Sequence, residues 1–165
     1  FTIREELGHI DGLTVTMLGD LKYGRTVHSL SRLLSMYKVG LNYVSPDILK
    51  MPREVVEELN ARRMEQRECD VLDPVLPQTD VLYVTRVQKE RFEDLDEYES
   101  VRSQFIITGE TMKSAKENMI VMHPLPRVGE ISMDVDDDPR AAYFRQMEYG
   151  LYVRMALLAM VLGKV

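Results

Sequence analysis

The 165-residue chain is 45% hydrophobic and 29% charged, the balance of one ordinary globular domain. Its net charge of -6 argues against a general electrostatic grip on nucleic acid or an anionic membrane, so any basic site must be local. The single cysteine, Cys69, excludes an internal disulfide framework and suits a reducing, cytoplasmic setting.

Residues 2–7 read as a short helix, with Thr2 and Glu5 as a capping box and Gly8 as its stop. Arg4, Glu5 and Glu6 interrupt any signal-peptide pattern, and the chain opens on Phe1, so a longer parent protein is expected. Residues 14–18 form a first predicted strand. Residues 25–38 follow as a helix with Val27, Leu30, Leu34 and Tyr37 on one face and Gly40 just beyond. A second strand is predicted at 41–44, and a helix at 52–62 with proline in its first turn. Residues 66–71 stand where the alternation calls for a strand, yet they make a poor one. Strands follow at 80–84 and 118–122, with a short helix opening at Thr108 between them. Asp138 and Pro139 are expected to open a long last helix. There Phe144, Met147, Leu151, Met155, Leu158 and Leu162 recur at helical spacing, which predicts one face packed on the body. The apolar run at 155–162 is too short to span a bilayer. The alternation predicts a single α/β domain: a Rossmann-like open parallel sheet with helices on both faces.

In such a sheet the carboxyl ends of all strands share one edge, where ligands bind. The unusual residues follow three strand ends. Gly19-Asp20-Leu21-Lys22-Tyr23-Gly24-Arg25-Thr26 follows the first strand, Thr85-Arg86-Val87-Gln88-Lys89-Glu90-Arg91 the strand at 80–84, and His123-Pro124-Leu125-Pro126-Arg127 the last. They would bring Lys22, Arg25, Arg86, Gln88 and Arg127 towards one crevice. Arg25 opens a helix, where the macrodipole disfavours a cation unless an anion joins it. The alternative is an ion pair with Asp20. Arg86 and Gln88, two apart, make a fork and an amide donor that suit a carboxylate. The alternative there is a surface pair with Glu90 or Glu93. Two prolines around Leu125 leave a stiff loop short of N–H donors, with carbonyls to present and a Leu125–Pro126 bond that can be cis. His123 beside it fits either a site residue or a satisfied buried histidine.

Other signals are weaker. Residues 19–24 do not match a dinucleotide or P-loop fingerprint. The run Asp134-Val135-Asp136-Asp137-Asp138 lacks the glycine and the final glutamate of an EF-hand, and His9, His28 and His123 lack metal-ligand spacing. No metal and no organic cofactor is expected. Glu93, Asp94, Asp96, Glu97 and Glu99 read as a solvated acidic loop.

Residues 19–30 (Gly-Asp-Leu-Lys-Tyr-Gly-Arg-Thr-Val-His-Ser-Leu), 85–91, 123–128 and 138–147 together resemble the aspartate-binding domain of aspartate carbamoyltransferases, most of all those in eukaryotic multifunctional pyrimidine-synthesis proteins. The resemblance runs in order along nearly the whole chain. It implies that residues 1–10 end an inter-domain helix and linker, and that 11–165 form the aspartate-binding domain. It further implies that Arg25 holds the α-carboxylate of L-aspartate, Arg86 and Gln88 its β-carboxylate, and the carbonyls of Pro124 and Leu125 the carbamoyl amide. Lys22, Thr26, Lys89, Arg91, His123 and Arg127 would support them. Residues 89–98 would be the segment that moves as two domains close. The amine would attack carbamoyl phosphate, with phosphate leaving, in an enzyme built as a homotrimer. The Ser-x-Arg-Thr-Arg segment of that family's phosphate-binding half is missing here, so the chain would be inactive alone. Two other readings compete: an anion- or nucleotide-binding module, and a non-catalytic structural domain of a multienzyme.

Overall fold

Five short runs pair side by side, all parallel, in the order β3-β2-β1-β4-β5. They are β1 (Thr14–Leu18), β2 (Gly40–Val44), β3 (Glu65–Cys69), β4 (Val81–Val84) and β5 (Ile120–Met122). The structure is a computed structural model that describes residues 1–102 and 104–164, with the side chain of Glu97 outside the description. β1 lies at the centre, with Val15 opposite Leu41 on one side and Val81 on the other. Strands covered on both faces favour apolar residues at successive positions, as Val81-Leu82-Tyr83-Val84 of β4 has throughout and β1 has at Met17-Leu18.

Side chains alternate across the sheet, so two cores form. Val15, Met17, Leu41, Tyr43, Val81 and Tyr83 pack on one face against α2 (Arg25–Leu34) and α3 (Arg53–Ala61) through Val27, Leu34, Val55 and Leu59. Leu18, Val44, Leu82, Val84 and Val121 pack on the other face against Leu76, Ile107, Tyr143 and Met112 of α5 (Gly109–Lys113). Within that second face a small polar chain is fully paired: Thr16 and Thr79 share a hydroxyl bond at 2.6 Å, and Asn42 donates to Thr16 at 3.1 Å.

The expected fold class holds, and several local expectations do not. α1 (Thr2–Leu7) ends at Gly8, yet Thr2 is its first helical residue and no side chain caps it, so there is no capping box. α2 stops at Leu34 rather than at 38, because Lys38 is drawn off to the 11–12 turn: its N–H reaches Asp11 at 2.7 Å and its carbonyl takes the N–H of Gly12. Tyr37 is therefore exposed. β3 forms despite its polar sequence, for it is an edge strand with one neighbour, and charges suit an edge. Gln66 anchors it, accepting from the Tyr43 hydroxyl and donating to Asn60. Cys69 closes that strand as a free, half-buried thiol. The acidic run at 93–99, expected as a loop, is instead mostly helical: it lies within α4 (Leu95–Arg102) from residue 95 on, and Asp94 accepts the N–H of Asp96 at 2.8 Å where the helix begins.

The last helix departs most. α6 (Tyr143–Val161) starts five residues after Asp138, because residues 140–142 run alongside β5: Val121 donates to the carbonyl of Arg140 and accepts the N–H of Ala142. Asp138 binds Arg140 instead of capping a helix. Nor does the apolar stripe pack on the body. Phe144, Met147, Leu151, Met155, Leu158 and Leu162 are 53–68% exposed, and Tyr143 alone in α6 is buried. α6 touches the rest through its first turns, where Arg145 grips Glu6 of α1 with bonds of 2.8 and 2.6 Å. Among the described residues no helix is long and apolar enough to cross a membrane.

Candidate functional site

The loop after β1 is forced against the loop after β4. Gly19 has φ +110, and a Cβ there would lie 2.3 Å from the carbonyl oxygen of Thr85. Thr85 returns the contact, its N–H and hydroxyl reaching the carbonyl of Leu18 at 2.8 and 3.0 Å. Asp20 folds inward, 1% exposed, and accepts the N–H of Tyr23 at 2.8 Å. Burial pushes its carboxyl up from the ordinary value, only partly countered by the N–H groups of Tyr23 and Lys22. Gly24 crosses so near the carbonyl of Asp20 that a Cβ would meet it at 2.4 Å. This tight turn delivers Arg25 to the first position of α2, exposed and with no ion pair among the described residues. The alternative pairing of Arg25 with Asp20 is not formed.

Past β4 the guanidinium of Arg86 lies 2.7 Å from Oε1 of Glu90, and Nε2 of Gln88 lies 3.5 Å from the same oxygen. The competing pair with Glu90 is thus real. It also demonstrates that both donors converge on one carboxylate. Past β5 the Leu125–Pro126 bond is cis and Leu125 has φ +49. His123 is buried, with Nδ1 2.8 Å from the N–H of Leu125 and Nε2 2.7 Å from Glu130.

Arg25, Thr26, Arg86, Gln88, Arg91, His123, Pro124 and Leu125 all border one crevice of about 250 Å³. Its lining carries three arginines and no acidic residue. This lining has the charge and shape that suit a small anion, and a forked guanidinium matches a carboxylate.

Three expected members lie elsewhere. Lys22 stands over the ring of Tyr23 at 5.1 Å, and Lys89 borders a separate depression with Glu90. Arg127 is turned away completely. It forks onto Asp136, reaches the Tyr143 hydroxyl at 3.2 Å and stacks on the Tyr143 and Phe144 rings. The acidic run at 134–138 is spent on local bonds: Asp134 takes the N–H of Gly109, Asp136 holds Arg127 and Asp138 holds Arg140. Among the described residues no group of three or more His, Cys, Asp or Glu could hold a metal. The sequence reading missed Tyr23 and Thr85 as lining residues and Glu130 beneath the last loop. Only spacing could have pointed to Glu130, and seven residues across a proline turn carry no such signal.

The profile of the aspartate/ornithine carbamoyltransferase Asp/Orn binding domain matches residues 11–161. The multifunctional protein pyr1-3 of Dictyostelium discoideum is 64% identical over 163 residues, which is 99% of this chain and 7% of that protein. The catalytic subunit of M. jannaschii aspartate transcarbamoylase superposes with a TM-score of 0.93 at 47% identity, covering 99% of this chain and 55% of that one. Aspartate transcarbamoylase from Trypanosoma cruzi, solved with carbamoyl phosphate and aspartate, gives 0.88 at 47% identity over 95% of this chain and 52% of that one. The chain thus spans about half of each solved relative. By sequence and by fold, it belongs to the aspartate/ornithine carbamoyltransferase family, as an Asp/Orn-binding domain.

Proposed function

We propose that this chain binds L-aspartate and presents its amine to carbamoyl phosphate held by a second half that these residues do not contain. The observation that carries the reading is the convergence of Arg25, Arg86 and Gln88 on one small crevice without an acidic lining residue. Arg25 takes the α-carboxylate, and Arg86 with Gln88 takes the β-carboxylate, as they now take that of Glu90. The Pro124 and Leu125 carbonyls receive the carbamoyl NH₂. The aspartate nitrogen forms a bond to the carbamoyl carbon, the bond from that carbon to the bridging phosphate oxygen breaks, and phosphate leaves with that electron pair and takes up the proton that the nitrogen sheds. The products are N-carbamoyl-L-aspartate and phosphate, a step of pyrimidine synthesis.

These residues position rather than transfer protons. Orientation of two reactants can supply on the order of 7–11 kcal/mol of barrier reduction. Two cationic clamps suit a dicarboxylate and repel the cationic side chain of ornithine. The complete enzyme is a cytoplasmic carbamoyltransferase, assembled as a homotrimer, in which residues 1–10 end the helix between halves. The bare apolar face of α6 supports a second half that covers it.

The test is calorimetric titration of the chain with L-aspartate, succinate and ornithine, beside a carbamoyl-transfer assay with and without the missing half. Weak dicarboxylate binding, with turnover only on complementation, is expected. No dicarboxylate binding and no rescue, from a folded chain, would overturn the reading in favour of a structural domain.

A further inference from the structure

Prolines at 124 and 126 leave the 124–127 turn with N–H groups on Leu125 and Arg127 alone. The N–H of Leu125 is given inward, to Nδ1 of His123 at 2.8 Å. Across the ring, Nε2 faces Oε1 of Glu130 at 2.7 Å, and the other oxygen of Glu130 takes the N–H of Val128 at 3.0 Å. Both side chains are sealed off, at 1% and 10% exposure. A buried imidazole–carboxylate pair therefore spans the turn from beneath and holds one N–H near each end.

Hydrogen counting fixes the tautomer. Nδ1 accepts from Leu125, so it carries no hydrogen, and the hydrogen sits on Nε2, donated to a carboxylate that can only accept. Burial pushes Glu130 up, yet the bonds from His123 and the backbone N–H groups outweigh it and hold the carboxyl below its ordinary value. Leu125 meanwhile sits at φ +49, a left-handed conformation that side-chain-bearing residues rarely adopt. It persists where its surroundings over-determine it. The inward bond to His123 does this, and it leaves the carbonyls of Pro124 and Leu125 with no donor among the described residues, at the wall of the crevice.

We propose that His123 is a positioning residue for carbamoyl transfer: its Nδ1, kept an acceptor by Glu130, locks Leu125 in the conformation that turns the Pro124 and Leu125 carbonyls to the reacting group. The role rests on the function argued above.

Glu130→Gln changes no volume and still breaks the brace. With its NH₂ towards His123, the amide drives the ring hydrogen to Nδ1, where it faces the N–H of Leu125. Flipped, the NH₂ faces the N–H of Val128 and the turn loses that end of the brace, so either orientation sets two donors face to face. His123→Asn places Oδ1 near the position of Nδ1 and keeps the acceptor for Leu125. His123→Gln places its NH₂ near Nε2 and keeps only the bond to Glu130.

The experiment measures kcat and the aspartate KM in an enzyme that joins this chain to the missing half. Glu130→Gln and His123→Gln are expected to lose roughly 10- to 100-fold in kcat, the scale of a small misplacement, with aspartate KM within about two-fold of wild type. His123→Asn should stay within about five-fold of wild-type kcat. A His123→Asn loss as deep as that of His123→Gln, or wild-type kcat in Glu130→Gln, overturns the role. Should the variants fail to fold, NMR of isotope-labelled histidine in the wild-type enzyme reads the tautomer directly: hydrogen on Nε2 supports the brace and hydrogen on Nδ1 overturns it. A wild type without carbamoyl transfer would sink the function and this role together, whereas an active wild type with an indifferent Glu130→Gln sinks the role alone.

Discussion

The carboxylate of Glu90 occupies the guanidinium of Arg86 at 2.7 Å, four residues along the same loop. An aspartate β-carboxylate bound there would take the place of this internal one. Arg86→Ala removes the fork that either carboxylate needs. In the complete enzyme this should cost about 2–5 kcal/mol of kcat/KM for aspartate, the usual loss on truncating one partner of a hydrogen-bonded charge pair. Steady-state kinetics at varied aspartate reads it, and near-normal kcat and KM would refute the assignment of Arg86.

The sheet was legible because most of its strands are short β-branched or apolar runs bounded by turn residues, β4 (Val81-Leu82-Tyr83-Val84) most clearly. The crevice was legible because α/β strand ends share an edge, which brings Arg25, Arg86 and Leu125 together from distant positions. Errors arose where a tertiary contact overruled a local signal. Asp138-Pro139 is a sound helix start, but backbone bonds to Val121 hold residues 140–142 beside β5 and delay the helix to Tyr143. Arg127 looked like a ligand-binding arginine, and only the fold shows Asp136 and Tyr143 waiting for it. β3 stands where the alternation calls for a strand, yet residues 66–71 read as a poor one, because an edge strand need not be apolar.

Glu6 offers a pH test. Arg145 binds it through both oxygens, and that bond, against the opposing effect of burial, holds the carboxyl below its ordinary 4.5. A depressed folded value means that the unfolded chain takes up its proton first. The stabilisation is then present above the ordinary value and lost as pH falls through the folded one. Arg145 is 41% exposed, so solvent screens the pair. Glu6→Gln should cost about 0.5–1 kcal/mol at neutral pH, with the gap to wild type closing as the medium is acidified. Urea melts of both proteins across pH check it, and a gap that stays constant would contradict the pairing.

Leu151 tests whether α6 is covered by another body. It is 53% exposed in this chain, where Leu151→Ala should shift unfolding by less than about 0.5 kcal/mol, alanine being the better helix former. In an enzyme that includes the second half, the same change should cost about 2–4 kcal/mol if the stripe is buried there. Equal effects in both contexts would mean that nothing covers this part of the helix.

Asp20 should respond in the opposite sense to Glu6. One of its oxygens accepts from Tyr23, and the other, Oδ2, has no partner among the described residues. Burial is the largest influence and leaves the carboxyl above its ordinary 3.8 despite the N–H groups of Tyr23 and Lys22 and the charges of Arg91 and His28. A raised folded value makes stability greatest in acid and lowers it as pH rises, because the native state must then hold a charge that burial disfavours. Asp20→Asn keeps an oxygen for the N–H of Tyr23 and removes the charge. Its NH₂ leaves two neutral N–H donors unmet, a smaller cost than an unpaired half-carboxylate. At neutral pH the variant should therefore melt a few degrees higher, for a gain of about 1 kcal/mol in a chain of this length. The gain should shrink as pH falls, since wild type sheds its charge there while the variant has none to lose. Differential scanning calorimetry of the two proteins from neutral pH downward separates the cases: a variant that melts lower at neutral pH would mean that the buried charge stabilises the loop after β1.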